Sequence, residues 1–408
     1  MAEAAARRPG AKGFFGWRVV GAAFVLATLT WGINFYGPSV YLHALHAREG
    51  WPLSLISAAI TLHFLASAAL VVRLPALLAR WGPVAVTRSG VAAAALGVAG
   101  WGNAAEPWHL VPAALLTAVG WALTSGAAIN VLVSRWFDRR RPAALAMAYN
   151  GASAGGIVFT PLWAALIAAW GFGPASLLVA AATLLVAWPV AGRWFGPTPD
   201  AMGLHPDGAA QPPPPRPAST PTGPLWRQPA FRSLSLSFAL GLTAQMGLLT
   251  VLFSIMAPSL GEAGAGLAMS AATACAVVGR TAVGTLLPED ADRRVAGMLN
   301  FLLQAAGSAT LALADGSPAP LIAGAILFGL GIGNLLSLPP LIAQRDWPPA
   351  EVARVVAVVT AVNQAFYAFG PGLFGAAMES FGAWAPPAAA AVLQLAAAAV
   401  LVAGRRRR

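Results

Sequence analysis

Charge is scarce in this chain of 408 residues. Only 10% of them are Asp, Glu, Lys or Arg, far below the roughly 25% of an ordinary soluble domain. So few charges cannot cover a soluble globule of this length. With 58% hydrophobic residues and a mean hydropathy of +0.69, the expected solvent is lipid. Cysteine is reduced to Cys275, which excludes an intramolecular disulfide; in its apolar run it reads as a small packing residue. The 14 acids are outnumbered by 25 bases, and none of the acids falls in the middle of an apolar run. A buried carboxylate relay therefore has no obvious residue. The histidines do not form a metal-ligand spacing and no Walker-type phosphate loop occurs, so neither an enzyme nor a metal or cofactor is expected. The beginning of the chain, through Arg7, Arg8 and Lys12 to Phe14, lacks a small-residue cleavage site and is expected to be a retained cytoplasmic tail.

What the sequence has in abundance is long apolar runs. A spanning helix needs about 20 mostly apolar residues. Candidates occur at 17–41, 52–79, 84–102, 107–133, 143–169 and 174–194, then at 231–257, 264–287, 295–313, 319–343, 352–376 and 384–403. The fold class expected is an all-α membrane protein of twelve spans. Between the sixth and seventh spans the composition changes: Pro212 to Pro215 and Pro217-Ala218-Ser219-Thr220-Pro221-Thr222 read as a flexible or polyproline linker. The domains expected are a tail at 1–16, a six-helix bundle at 17–194, a cytoplasmic linker at 195–230, a second bundle at 231–403 and a basic tail at 404–408.

The net charge of +11 could suggest nucleic acid, but the cations sit in short clusters between apolar runs, which is the membrane pattern. With the N-terminus in the cytoplasm and a crossing at each span, nearly all the arginines fall inside and only Arg48 falls clearly outside. That asymmetry predicts both termini in the cytoplasm of a bacterial inner membrane. The two halves also match. Arg141 precedes Asn150 by nine residues, and Arg354 precedes Asn363 by nine, each at the start of its half's fifth span. Duplicated six-helix halves are the signature of transporters that bind solute near the midplane.

Four motifs carry a family resemblance. The first span opens Gly16-Trp17-Arg18-Val19-Val20 and closes Phe35-Tyr36-Gly37-Pro38-Ser39-Val40. The loop between spans four and five reads Arg135-Trp136-Phe137-Asp138-Arg139-Arg140-Arg141, followed by Asn150-Gly151-Ala152-Ser153-Ala154-Gly155-Gly156. After span six comes Pro199-Asp200-Ala201-Met202-Gly203-Leu204-His205-Pro206-Asp207-Gly208, and span eight holds Gly279-Arg280-Thr281-Ala282-Val283-Gly284. The chain resembles the major facilitator superfamily, and within it the monocarboxylate and oxalate–formate branch. The resemblance implies two pseudo-symmetric six-helix bundles and rocker-switch alternating access.

It also implies conformational loops at Arg80 and Gly82 in the first half, and at Gly284, Asp290 and Arg293 in the second. Pro75 and Ala79 stand where the first loop's Gly and Asp would be. The Lys near the end of span one and the Asp one turn before the span-eight Arg in animal carriers are absent too; Pro38 or Ser39, and Ala276, stand there.

Arg280 is the sharpest candidate for chemistry. An arginine in hydrocarbon costs roughly 3 kcal/mol on insertion scales, so it usually lines a cavity, and its planar fork suits a carboxylate. The resemblance agrees, because the branch's substrate-binding Arg sits one turn before a Gly, as Arg280 sits before Gly284. The alternative is an arginine snorkelling to the surface near Leu287. Tyr36, Tyr149, Asn363 and Tyr367 are expected to shape the site. His63 is a candidate for proton transfer or a neutral interhelical residue, and Arg73 for gating or snorkelling. Further polar candidates are Asn34, Asn130, Asn150, Gln245, Asn300, Gln304, Asn334 and Gln364, each more often interhelical glue than a ligand contact. Oxalate–formate antiporters, which the chain resembles, use a second cation in span eleven for a dicarboxylate; here, past Arg354 at its opening, span eleven holds Asn363, Gln364 and Tyr367 but no Lys or Arg, so a monocarboxylate is favoured. The partners expected are a small organic anion, a coupling ion or counter-substrate, and the lipid bilayer, with a monomeric protein and no nucleic acid. The rival functions are efflux of an amphipathic drug-like solute and, from another class, a membrane sensor or scaffold.

Overall fold

The structure, a computed structural model, describes residues 13–209, 223–288 and 291–405. Arg7, Arg8, Lys12, the run Pro212 to Pro215, Arg216, Glu289, Asp290 and Arg406 to Arg408 lie outside the described residues.

A chain in hydrocarbon must satisfy its backbone internally, and a helix does so within one segment. Eleven helical stretches among the described residues are long and apolar enough to cross a membrane, and no strand occurs among them. One stretch, Pro229–Leu286, has 58 residues. As a straight helix it would run about 87 Å, far past the ~30 Å hydrocarbon core. It leaves helical geometry at Gly261 (φ 70°, ψ 166°), a region that only glycine enters cheaply, and so supplies two spans. The twelve are α1 Phe15–Glu49, α2 at 53–81, α3 at 83–102, α4 Pro107–Ser134, α5 Arg141–Trp170, α6 Phe172–Trp194, α7 at 229–260, α8 at 262–286, α9 Arg293–Ala312, α10 Pro318–Asp346, α11 Arg354–Phe381 and α12 Ala385–Ala403. Gly82 (φ 75°, ψ 165°) makes the turn between α2 and α3 as Gly261 does between α7 and α8. Proline opens several of these helices at a position where its missing N–H costs nothing, as at Pro107, Pro229 and Pro318.

The described ends of the chain lie at one end of the bundle, the terminal end. There Asp207 gathers the backbone N–H groups of Asp138, Arg139 and Arg140 with its carboxylate, at 3.1, 2.7 and 3.2 Å. The Asp207 N–H in turn donates to the Trp136 carbonyl at 2.8 Å. The segment after α6 is therefore tied to the α4–α5 loop as far as residue 208, where the sequence suggested a free linker from 195 onward. Three N–H groups left over at a turn offer a carboxylate a better place than water does. In the second half Arg294, 3% exposed, binds Asp346 at 2.7 Å, the Ser233 hydroxyl at 2.9 Å and the carbonyls of Leu401 and Ala230 at 3.0 and 2.9 Å. One guanidinium thus joins α7, α9, α10 and α12.

The hydrophobic cores divide unevenly. One cluster draws on both halves, with Phe64, Trp101 and Trp163 from the first and Phe253, Met269 and Phe374 from the second. Two others belong to single halves: one around Trp136, Phe137 and Phe195, the other around Phe231, Phe238 and Trp347. Both of these hold residues of the terminal end. The halves are packed together at the far end and have separate cores at the terminal end.

Candidate functional site

Two seams join the halves, and each runs from the far end to mid-membrane. In the first, α8 packs on α5 and α1. Gly266 lies on Pro161 and Ala164, and Ser270 donates to the Ile157 carbonyl at 2.7 Å. Thr273 and Tyr36 crowd onto Gly156, where a Cβ would meet Thr273 Cγ2 at 2.6 Å. Two turns further along α8 stands Arg280, half-buried and within electrostatic reach of the Tyr36 hydroxyl. The second seam joins α11 to α2. A Cβ on Gly375 would collide with the Ser57 hydroxyl, Gly372 N–H donates to Thr61 Oγ1 at 2.9 Å, and Tyr367 meets the Phe64 ring edge-on with centroids 5.9 Å apart. Asn363 follows one turn on, 4% exposed, with an Oδ1 that has no protein partner. The seams thus end at Tyr36 and Arg280 on one side and at Tyr367 and Asn363 on the other.

Arg280 is held from behind. Its Nε donates to the Gly333 carbonyl at 3.2 Å. That carbonyl is where α10 breaks into two helical segments, Pro318–Ile332 and Asn334–Asp346. Helices α8 and α10 approach closely because Gly279 has no side chain; a Cβ there would run into the Leu330 carbonyl. Behind Gly333 a polar chain crosses the second half. Asn334 Nδ2 donates to Asn300 Oδ1 at 2.9 Å, Asn300 Nδ2 to the Gly331 carbonyl at 3.3 Å, and Gln304 Nε2 to Gln245 Oε1 at 3.1 Å. These four side chains act on each other, as interhelical hydrogen bonds in lipid do. Among the described residues no carboxylate pairs with Arg280.

The remaining sequence candidates are dispersed. Tyr149 donates to the Gly126 carbonyl at 2.8 Å, and the neighbouring Asn130 Oδ1 accepts from Arg141 at 2.9 Å. This group lies wholly within the first half. His63 on α2 is 2% exposed and faces α1, α3 and α4 inside the first half. Arg73 is exposed where α2 is interrupted at Val72–Arg73. Arg80 is exposed with its guanidinium 5.8 Å from the Trp81 ring, Gly82 makes the turn described above, and Gly284 is exposed with open space around its Cα. Arg293 opens α9. The sequence reading missed Thr273 and Gly333, and held Gly156 only as part of a motif. Only Gly333 left a signal, in the run Gly331-Ile332-Gly333-Asn334, which is poor helix.

The description that matches the chain is the Major Facilitator Superfamily, over residues 19–371. Monocarboxylate transporter 11 from Homo sapiens is 33% identical over 180 residues, 42% of this chain and 36% of that protein. The Mus musculus protein of the same name is 32% identical over 174 residues, 42% of this chain and 38% of the other. The matched part thus spans little more than a third of these relatives. A bacterial homologue of the human lysosomal transporter Spinster, solved in an inward-facing and occupied conformation, aligns with a TM-score of 0.71 at 16% identity, covering 95% of this chain and 96% of that one. The nucleoside transporter NupG aligns with a TM-score of 0.75 at 12% identity, covering 95% and 100%. These structures share the fold.

Proposed function

We infer the function from one premise: the chain belongs to the Major Facilitator Superfamily and is a membrane transporter. Its substrate is a small organic anion, a monocarboxylate by preference, moved by alternating access between two six-helix halves. The observation that carries this reading is Arg280, half-buried at the end of a seam, unpaired by any described carboxylate and held through Nε by Gly333. That bond leaves the two terminal nitrogens for a bidentate carboxylate. Tyr36 beside Arg280 and Tyr367 with Asn363 at the end of the other seam are the residues this reading assigns to the site, with Tyr149 more distant in the first half. A single arginine favours a single negative charge. The partial similarity to proteins named monocarboxylate transporter 11 supports the same class.

The domains in this reading are the bundles 17–194 and 231–403 with a cytoplasmic linker at 195–230 and tails at 1–16 and 404–408. Both termini are cytoplasmic, as the arginines require. The structure is then the state closed to the outside.

The test is a thermal-shift panel on purified protein with acetate, propionate, pyruvate, oxalate and succinate, with neutral and cationic solutes of similar size alongside, because ligand binding raises apparent stability by mass action. A monocarboxylate that shifts wild type and leaves Arg280→Gln unmoved is the expected result. Stabilisation by neutral or cationic solutes alone overturns it.

A further inference from the structure

A second polar site lies inside the first half, away from Arg280. A cavity of about 10 Å³ is lined by Ile33, Asn34, Pro38, Tyr41, Ile60, His63, Trp101 and Thr117. That is about the space one water centre needs. Two side chains in its wall are at least nine-tenths buried and carry unpartnered polar atoms: Asn34 at 1% exposure, with Oδ1 and Nδ2, and His63 at 2%, with Nε2. Leaving such atoms unpaired forfeits the hydrogen bonds they make in water. A water with three polar neighbours is what such a cavity holds.

The neighbours of His63 suit the tautomer with the proton on Nδ1. Thr117 Oγ1 donates its one proton to the backbone, with the Ala113 and Ala114 carbonyls both at 3.0 Å. Its oxygen then only accepts. Trp101 Nε1–H donates to it at 3.4 Å, and His63 Nδ1 stands 3.0 Å away. With the Thr117 proton on the backbone, the contact is a hydrogen bond in which Nδ1–H donates. In that tautomer the Nε2 lone pair, which has no protein partner, faces the cavity as a base in the membrane interior.

The other wall of the cavity belongs to the irregular part of α1. Residues Gly32–Tyr36 form a π-helical turn ahead of Pro38. Proline brings no N–H to the preceding turn, and the Tyr41 hydroxyl donates to the Ile33 carbonyl at 2.9 Å instead. The Asn34 backbone carbonyl also lies near the His63 ring. Asn34 can serve His63 in both charge states, Nδ2 donating toward the neutral base through a water, Oδ1 or the carbonyl accepting from the protonated ring. Two residues later on the same turn comes Tyr36, the neighbour of Arg280.

We propose that His63, Asn34 and one water form a proton-binding site in the first half, coupled to the anion site through the turn Asn34–Tyr36. A proton from solvent joins Nε2, Nδ1 keeps its own, and the ring gains one positive charge. The groups that face the ring are Tyr41 and Asn34 from α1, Trp101 from α3 and Thr117 with the Ala114 carbonyl from α4, with Tyr367 of α11 beyond the Phe64 ring. No Asp, Glu, Lys or Arg lines the cavity, so the added charge is uncompensated until an anion arrives near Tyr36. Protonation and anion binding then favour each other by the same factor.

The coupling rests on the anion reading above; the water and the tautomer do not. Wild-type protein labelled with ¹⁵N-histidine in nanodiscs should show one neutral Nδ1–H histidine in contact with water protons, absent from His63→Gln. An Nε2–H tautomer, or a ring without water contact, overturns the site. Propionate binding, followed by thermal shift, should tighten as pH falls, by up to about tenfold per pH unit for one linked proton. In His63→Gln and in Asn34→Leu, which fills the cavity, the change should shrink to less than about twofold, while Asn34→Ser, which keeps room for water, retains it. An unaltered pH slope in both His63→Gln and Asn34→Leu overturns the coupling. If no carboxylate binds but the tautomer and its titration are as described, the anion reading falls and the proton site stands.

Discussion

Arg280 Nε donates to the Gly333 carbonyl, 3.2 Å away, at the point where α10 changes from one helical segment to the next. The Gly333 carbonyl, at the junction of two helical segments, orients this cation between the halves. The bond uses Nε and leaves the two terminal nitrogens for a carboxylate. It also explains why Arg280 stays between the halves although Leu286, only six residues on, is 78% exposed.

The fork itself should matter more than the charge. Arg280→Lys keeps the cation but loses both the Gly333 bond and bidentate geometry, so carboxylate affinity should fall about ten- to hundredfold, the worth of one charge-assisted hydrogen bond. Arg280→Gln should fall further and express at least as well, because the cost of a charge in lipid is gone. Equilibrium binding of the best carboxylate from the thermal-shift panel decides it. Unchanged affinity in Arg280→Gln would make the arginine a bystander.

Closeness between α8 and α10 should be equally exacting. Gly279→Ala places a methyl group against the Leu330 carbonyl, which is backbone and cannot rotate away. A loss of about 1–3 kcal/mol is expected from overpacking, with weaker anion binding because Gly333 moves relative to Arg280. Gly284→Ala, in open space, is the control and should behave as wild type in both melting and binding.

Arg294 joins four helices and is 3% exposed. Arg294→Leu would strip Asp346, the Ser233 hydroxyl and two carbonyls of their donor at once. Removing one partner of a buried pair costs about 3–5 kcal/mol, so a large fall in melting temperature is expected. Combining it with Asp346→Leu should recover part of the loss. A double variant no more stable than Arg294→Leu would mean that the carbonyl contacts, and not the ion pair, hold this corner.

Acid should loosen the same corner first. Burial pushes the Asp292 carboxyl upward, but the Arg294 N–H and the Arg405 guanidinium outweigh it, and the net shift is downward. Its carboxylate caps α9 at Arg294 N–H, 2.9 Å, and pairs with Arg405 at 2.6 Å. A folded-state value below the unfolded one means that this stabilisation is complete above the ordinary carboxylate range and is lost as pH falls through the lowered value. Melting temperature should therefore drop more steeply in wild type than in Asp292→Asn on acidification through that range. Parallel curves would show that Asp292 contributes nothing to acid sensitivity.

Most of the architecture was legible in the sequence because lipid imposes one rule on every span. Apolar length alone located twelve segments, and the Pro229–Leu286 helix separates at Gly261 inside the expected gap between 257 and 264. Arg280 was legible for the same reason, since a charge in an apolar run is conspicuous. Apart from Tyr36, its neighbours were not. Thr273, Gly156 and Gly333 matter through contacts made across sequence separations too large for any local pattern, and glycine and threonine are common in membrane helices. The role of Asp207 was hidden likewise. Its carboxylate serves N–H groups 67 to 69 residues away, so its segment looked like linker.

The seams make a last prediction about motion. Each consists of small residues that let helices of opposite halves touch, and each ends before the terminal end, where the two halves have separate cores. The closed far end is held by the core the halves share there and by these close approaches. Gly375 against Ser57 is the tightest on the α2–α11 side. Gly375→Leu should wedge that seam without touching Arg280, Tyr36 or the core of either half. A cost of about 1–3 kcal/mol placed on one state alone shifts the population roughly 5- to 150-fold toward the state open at the far end. The readout is labelling of a cysteine at Thr61, in a Cys275→Ser background, by a membrane-impermeant thiol reagent. The rate from the far side should rise by a factor in that range on adding Gly375→Leu. It should return toward the parent value with Gly375→Ser, whose smaller side chain wedges less. If Gly375→Leu instead lowers melting temperature while labelling stays unchanged, the contact is ordinary packing and the seam is not what holds the far end closed.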